Sequence, residues 1–387
     1  MKFLIPRWHA HHTDEIIHLF EKEGHAVLSW DNMPRNFHYD PVFRRALTQT
    51  VTEQNVEAVF SLQYFPIVSN ICENIGIPYI SWCSSDSANP LLLTKSITNG
   101  CNIIFHWDSY WVERLQRLGA ESVAYLPWAA STAINSGTEP PQPQTDLSLI
   151  DTADSESWRM YLTLSAGLDR RTKGFLDGLM QAQQDIYGFP FLENALNETV
   201  LTAMEEVFSL PGPRDSIASR EELYACQVLY PTIGKREIDV MLKLLAEEPD
   251  WKRIFYTPRK DEPPTPFLQK SPPADGEEAA AIYAGSRINI LPAPRDIQRG
   301  IPPQALDIMG CGGFLLTSFQ SDYLQLFEPG KDYVCYESPE DLLDKVRYYL
   351  EHEEERREIA HRGHSKVMAE HTLEPRIREM LALLNLA

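Results

Sequence analysis

Short, continuous apolar runs alternate with amphipathic helical stretches through the first 130 residues, and this rhythm most restricts the fold. The runs are Lys2 to Pro6, Ala26 to Trp30, Glu57 to Ser61, Pro78 to Trp82, Asn102 to His106 and Ser122 to Leu126. They are apolar on both faces rather than alternately, as in a parallel sheet covered by helices on either side. Thr13 or Asp14 can cap a helix that buries Ile16, Ile17, Leu19 and Phe20, and Gly24 supplies its left-handed stop. Helices ending at Gly76 and Gly119 follow the same logic, each returning the chain to the next parallel strand.

A chain of 387 residues exceeds the usual size of one hydrophobic core, so two α/β units are expected. The run NSGTEPPQPQT, Asn135 to Thr145, cannot bury a core and reads as a linker. The expected division is 1–140, 141–372 and a last helical segment 373–387. In the second unit, a strand at Leu147 to Ile150 is followed by a helical insertion at about 158–229. Its helices are expected over Tyr161 to Tyr187, broken at Gly167, and over Leu192 to Phe208. The rhythm resumes with a helix at Lys235 to Glu247 and a strand at Arg253 to Tyr256. After a second linker-like stretch, Pro258 to Asp275, come strands at Arg287 to Leu291, Gly313 to Thr317 and Asp332 to Tyr336. Ser338 and Pro339 are suited to begin the next helix.

Composition narrows the function classes. A formal charge of -20 disfavours a nucleic-acid backbone as partner, while leaving room for a local basic pocket. No apolar run is long enough to span a bilayer. Met1 to Pro6 leads directly into Arg7 and Trp8, unlike the long apolar core of a secretory signal, so the expected compartment is the cytoplasm. Six scattered cysteines without a Cys-x-x-Cys pair read as reduced thiols.

The chemistry is expected in Ser286 to Ser318. Arg287, Asn289, Arg295, Arg299, Gly300, Asp307, Gly312 and Gly313 fall in a strand, loop, helix, turn and strand. Ligands of open α/β sheets lie beyond the carboxyl ends of the strands, which points to the loop after Leu291. Gly300, Ile301 and Pro302 lead into a helix whose first amides could hold an anion. Arg295 or Arg299 could neutralise a diphosphate, although arginines in such loops also serve simply as solvated charges. Gly312 and Gly313 suit a helix stop and tight turn whatever the function.

The run SRINILPAPRDIQRGIPPQALDIMGCGGFLLTSFQSDYLQLFEPGKDYVCYESPEDLLDKVRYYLEHEEERREIAHRG resembles the C-terminal domain of the CgeB-type spore-maturation family. More distantly, it resembles the donor domain of GT-B glycosyltransferases. VEAVFSLQYFPIVSNICENIGIPYISWCSSDS and HWDSYWVERLQRLGAESVAYLPWAAS are similar to that family's first domain, and GFLDGLMQAQQDIYGFPFLENAL to its insertion. The resemblance implies two Rossmann-like domains facing a cleft, with nucleotide sugar on the second domain, acceptor mainly on the first, and no divalent metal. The last helix would cross back to the first domain. Of the glutamate pair that handles sugar and ribose in relatives, the second corresponds to Asp307 and the first to Arg299, which reverses the charge and suits phosphate. Relatives also place basic phosphate binders after the first donor-domain strand. Here Asp151, Thr152, Ala153 and Asp154 stand there, leaving Lys235 and Arg236 as substitutes or as ordinary surface charges.

For an acceptor-side base, Asp86 after the strand ending at Trp82 is a candidate, with a turn-forming role as the alternative. His9 or His12, after the first strand, are further candidates because imidazole titrates near neutrality. Their spacing completes no strong metal pattern. Tyr64 and Trp82 could stack on an acceptor sugar or belong to the core. The expected activity is transfer of a glycosyl group from a nucleotide diphosphate sugar, expected to be UDP-linked, to a protein, glycan or other surface-destined acceptor. The alternative is a non-catalytic nucleotide- or glycan-binding scaffold or regulator, motivated by Arg299.

Overall fold

The apolar runs form two six-stranded parallel sheets in the computed structural model of the protein. It describes residues 1–8, 12–83, 92–130, 143–151, 155–210, 212, 215–248, 250–257, 268–270 and 276–386. The first sheet arises from β1 (Lys2–Pro6), α1 (Thr13–Lys22), β2 (Ala26–Trp30), α2 (Pro41–Glu53), β3 (Ala58–Leu62), α3 (Pro66–Ile75), β4 (Tyr79–Cys83), β5 (Asn102–His106), α4 (Ser109–Arg117) and β6 (Val123–Tyr125). Its order is β2-β1-β3-β4-β5-β6, so the winding reverses between β1 and β3. Gly76 ends α3 at φ 73°, returning its N–H to the Cys72 carbonyl, as the sequence suggested. The apolar pattern had not singled out α2. Asp40 starts it by accepting the Val42 and Phe43 amides, and Phe43, Leu47 and Val51 bury its inner face.

The second sheet follows from β7 (Thr145–Ile150), then α5 (Ser155–Gly167), α6 (Arg170–Gln184), α7 (Leu192–Ala195), α8 (Glu198–Val207), α9 (Arg220–Tyr224) and α10 (Tyr230–Ala246). The chain continues through β8 (Arg253–Tyr256), β9 (Leu268–Lys270), α11 (Gly276–Ala284), β10 (Ser286–Leu291), α12 (Pro303–Gly310), β11 (Leu315–Ser318), α13 (Tyr323–Leu326), β12 (Val334–Tyr336), α14 (Pro339–Glu351) and α15 (Glu353–Glu370). The order β12-β11-β10-β7-β8-β9 is that of a Rossmann-like sheet, with its winding reversing between β7 and β10. Gly363 lets α15 lie directly on the turn before β12, because a Cβ there would stand 2.3 Å from the Asp332 carbonyl oxygen.

The helices α5 to α10 have a core of their own, built on Tyr161, Leu176, Met180, Leu201, Met204 and Tyr230. The break at Gly167 is present, and Asp169 caps the helix that follows. The expected single helix over Leu192 to Phe208 is instead two, because Leu196 is extended and Asn197 caps a new start through the Val200 amide. A π-helical turn, Ala225–Leu229, runs straight into α10, which therefore begins before Lys235. Much of each linker-like stretch lies outside the described residues.

Compact units comprise Met1–Trp128, Pro211–Ala218 and Leu373–Ala387 on one side, and Ala129–Leu210 with Ser219–Thr372 on the other. The former contains α16 (Leu373–Leu383), which pairs with α1 through Lys22–Glu374 and Arg378–Glu23, each at 2.8 Å. Within the latter, Ala130 and Thr372 form a parallel bridge where the chain enters and leaves. No helix among the described residues is long and apolar enough to cross a membrane.

His106 closes β5 as a fully buried imidazole. Its Nδ1 accepts the Asp108 amide at 3.0 Å, which leaves the ring proton on Nε2, and burial depresses its pKa to about 3. In the unfolded chain this histidine takes up a proton as pH falls through about 6.5, whereas the native site does so only near 3. Its contribution to stability is therefore lost as pH falls through that window, by about 2 kcal/mol between pH 6.5 and 5. Urea unfolding of His106→Asn should show a correspondingly flatter pH dependence than the parent chain, and equal slopes would contradict this.

Candidate functional site

Parallel pairing brings the carboxyl ends of β7, β8, β10 and β11 to one edge of the second sheet. Asp151, buried at the end of β7, accepts the Thr257 hydroxyl at 2.9 Å beyond β8. Thr317 donates its hydroxyl to the Leu291 carbonyl at 2.7 Å, and the Ala293 amide donates to Ser318 Oγ at 2.8 Å. These bonds fix the start of the loop after β10. Further along, the Arg299 carbonyl accepts the Asp322 amide at 3.1 Å. Gly300 is buried, and α12 then begins at Pro303 with no side-chain hydrogen bond at its N-cap, Pro302. Pro302 and Pro303 carry no N–H, and the Ala305 amide donates to the Pro302 carbonyl at 2.9 Å, so Gln304 supplies the first helical amide that an oxyanion could meet beside the point where the winding reverses.

The arginines grouped by sequence have different environments. Arg287 is the second residue of β10 and so lies at the amino edge, about 13 Å of strand from the loop after Leu291. It pairs with Asp146 at 3.0 Å and donates to the Leu350 carbonyl at 2.6 Å. Arg295 is at the carboxyl edge, but its three nitrogens are occupied. Nε donates to Glu237 at 2.7 Å, Nη2 to the Gln184 carbonyl at 3.0 Å and Nη1 to the Ile186 carbonyl at 3.2 Å. Its guanidinium also lies 3.9 Å from the centre of the Tyr187 ring, and Tyr187 donates to Glu237 at 2.6 Å. Burial opposes the charge on Arg295, yet Glu237 and Tyr187 outweigh it and hold its pKa above the ordinary value. Arg299 is half-buried in the same loop.

Other expected residues have structural surroundings. Buried Asn289 accepts the Ser148 hydroxyl at 2.8 Å and donates to the Tyr283 carbonyl at 3.0 Å. Gly313 abuts it, since a Cβ there would meet Asn289 Nδ2 at 2.8 Å. Gly312 turns the chain out of α12 at φ 76°. Lys235 pairs with Asp239 at 3.0 Å and lies over Trp158, while Arg236 pairs with Asp177 at 2.8 Å and lies over Tyr161. Asp307 is half-buried on α12, and burial followed by its negative charge pushes the Cys311 thiol up to about 12.

In the N-terminal unit, His12 stands between β1 and α1 at φ 66°, with its ring edge-on to Trp128 and 4.0 Å from Glu15. Tyr64 is fully buried and donates to Ser96 at 2.7 Å. Trp82 is fully buried as well, donates to the Leu126 carbonyl at 3.2 Å and packs on Trp128. Both rings belong to the core and present no open face to a sugar, because each polar tip is satisfied from within. His9 and Asp86 lie outside the described residues. Among the described residues, no three His, Cys, Asp or Glu side chains gather to hold a metal.

Sequence reasoning did not single out Glu237, Tyr187 or Gln183, all linked to the turn Ile186–Pro190. The run Tyr-Gly-Phe-Pro, 187–190, was the available turn signal. Arg295 and Glu237 retain only 9% and 1% side-chain exposure, so removing one charge strands the other in a site water scarcely reaches. Glu237→Leu should lower stability by about 3 kcal/mol in urea titration. A loss below about 0.5 kcal/mol would contradict the clamp.

Residues 236–382 match the profile of a family described as glycosyl transferase-like. No curated protein sequence matches the chain. Among solved structures, sucrose-phosphate synthase from Thermosynechococcus elongatus aligns over 100% of this chain and 98% of its own, at 10% identity and a TM-score of 0.52. HepE of Anabaena, in complex with UDP-glucose, aligns over 100% and 99%, at 10% identity and a TM-score of 0.53. A glycosyltransferase from Rickettsia africae aligns over 99% and 97%, at 8% identity and a TM-score of 0.51. Residues 236–382 are thus similar to a glycosyl transferase-like family, and they lie within an α/β fold whose two Rossmann-like units match GT-B glycosyltransferase structures.

Proposed function

We propose that the protein is a CgeB-type, metal-independent glycosyltransferase that moves a sugar from a UDP-sugar to a protein or glycan acceptor. The observation carrying this reading is the start of α12, without a side-chain cap, beside the β7–β10 reversal in the glycosyl transferase-like domain. The Gln304 amide and Arg299 would hold the diphosphate and stabilise the negative charge that grows on it as the glycosyl bond breaks. Asp307 would accept hydrogen bonds from the ribose hydroxyls. The acceptor would lie on the N-terminal unit, with His12, His9 or Asp86 supplying a base if transfer inverts the anomeric centre.

The UDP-bound forms of Anabaena HepE support the choice of nucleotide. Arg299, where relatives have an acidic sugar contact, favours a second reading in which the protein binds nucleotide sugar without transferring it. Calorimetry and donor-hydrolysis assays with a panel of nucleotide sugars separate the two. The enzyme reading predicts UDP binding and slow hydrolysis of one UDP-sugar, with Arg299→Ala weakening UDP by about tenfold or more. Binding without hydrolysis or transfer across varied acceptors would favour the scaffold, and no nucleotide binding would overturn both.

A further inference from the structure

The insertion contributes a turn to the carboxyl edge of the second sheet. Gln183, 3% exposed, donates to the Ile186 and Phe189 carbonyls, each at 3.2 Å, and accepts the Phe191 amide at 2.9 Å. Arg295 holds the Gln184 and Ile186 carbonyls from the other side. Gly188, at φ 70°, fits against Phe319 so closely that a Cβ would lie 3.2 Å from its ring. The backbone of the turn is thus fixed at several points, directly against the segment that follows β11.

Its most prominent side chain is left outside this packing. Phe189 is 66% exposed, the highest value among the large apolar side chains described as exposed in the C-terminal unit. It borders a cavity of about 20 Å³ that is also lined by Gln298, Ser318 and Gln320. Gln320 is 6% exposed and donates Nε2 to the Ile297 carbonyl at 3.2 Å, while its Oε1 is buried without a hydrogen-bond partner. A buried acceptor without a donor calls for an incoming N–H or a water. The cavity accommodates one small polar group and no ring.

We propose that Ile186–Pro190 is the nucleobase-facing wall of the donor site, with Phe189 stacking on the planar base and a water in the cavity accepting an N–H from the base edge while donating to Gln320 Oε1. The inference rests on the donor reading above and adds that the helical insertion determines which nucleotide is taken. A uracil ring meets both requirements, since it is flat and carries an imide N–H. Arg295 then acts as a positioning residue, tying the turn to the loop after β10, instead of as a phosphate ligand.

Calorimetry with UDP and with inorganic pyrophosphate, on the full chain and on Phe189→Ala and Phe189→Trp, tests this. Expected is about tenfold weaker UDP binding by Phe189→Ala, unchanged pyrophosphate binding, and retention of UDP affinity by Phe189→Trp. A melting temperature equal to the parent's checks that the fold is intact. UDP binding equal to the parent's in Phe189→Ala would overturn the wall while leaving the donor reading standing. Equal losses of UDP and pyrophosphate would also overturn it, by showing a general disturbance. Failure of the parent chain to bind UDP or any other nucleotide would overturn both.

Discussion

Parallel pairing of β7 with β10 is the constraint on which the rest depends. It places the ends of both strands on one edge and, because the winding reverses between them, lets their following segments diverge. The loop after β10 leads to the start of α12, and the long excursion after β7 becomes the helical insertion. Backbone hydrogen bonding therefore puts two segments distant in sequence at one site before any side chain acts.

Side chains then lock that arrangement. The buried Arg295–Glu237 pair joins the loop after β10 to α10, and the same guanidinium holds the carbonyls of Gln184, the last residue of α6, and of Ile186 in the turn beyond it. A buried pair of this kind contributes less to net stability than to fixing one geometry, since desolvation offsets much of its attraction. Here the geometry fixed is the approach of the insertion to the sheet edge. The charge that a sequence reading would aim at phosphate is directed inward, and Arg299, four residues on, remains the basic side chain proposed for that role.

Most of the fold was legible because its signals are local. Runs such as Phe3 to Ile5 and Phe314 to Leu316 are apolar on successive residues, as doubly covered strands require, and Gly76 and Ser338 mark helix boundaries by their own conformations or hydrogen bonds. Helix α2 escaped because its apolar face is narrow and its start depends on Asp40. The site was less legible because partners matter there. Nothing near Arg295 in sequence identifies Glu237, 58 residues away, and nothing near Arg287 identifies Asp146. Composition alone also could not decide whether Tyr64 and Trp82 were core or surface, a matter settled by the hydrogen bonds that satisfy their polar tips from within.

The central claim is that the carboxyl edge at β7 and β10 receives a nucleoside diphosphate. A crystal structure of the chain with UDP tests it most directly. The diphosphate should lie within hydrogen-bond distance of the Gln304 amide at the start of α12 and of Arg299, beside the loop after β10. UDP bound at the amino edge, near Arg287, or anywhere else away from the start of α12, would contradict it.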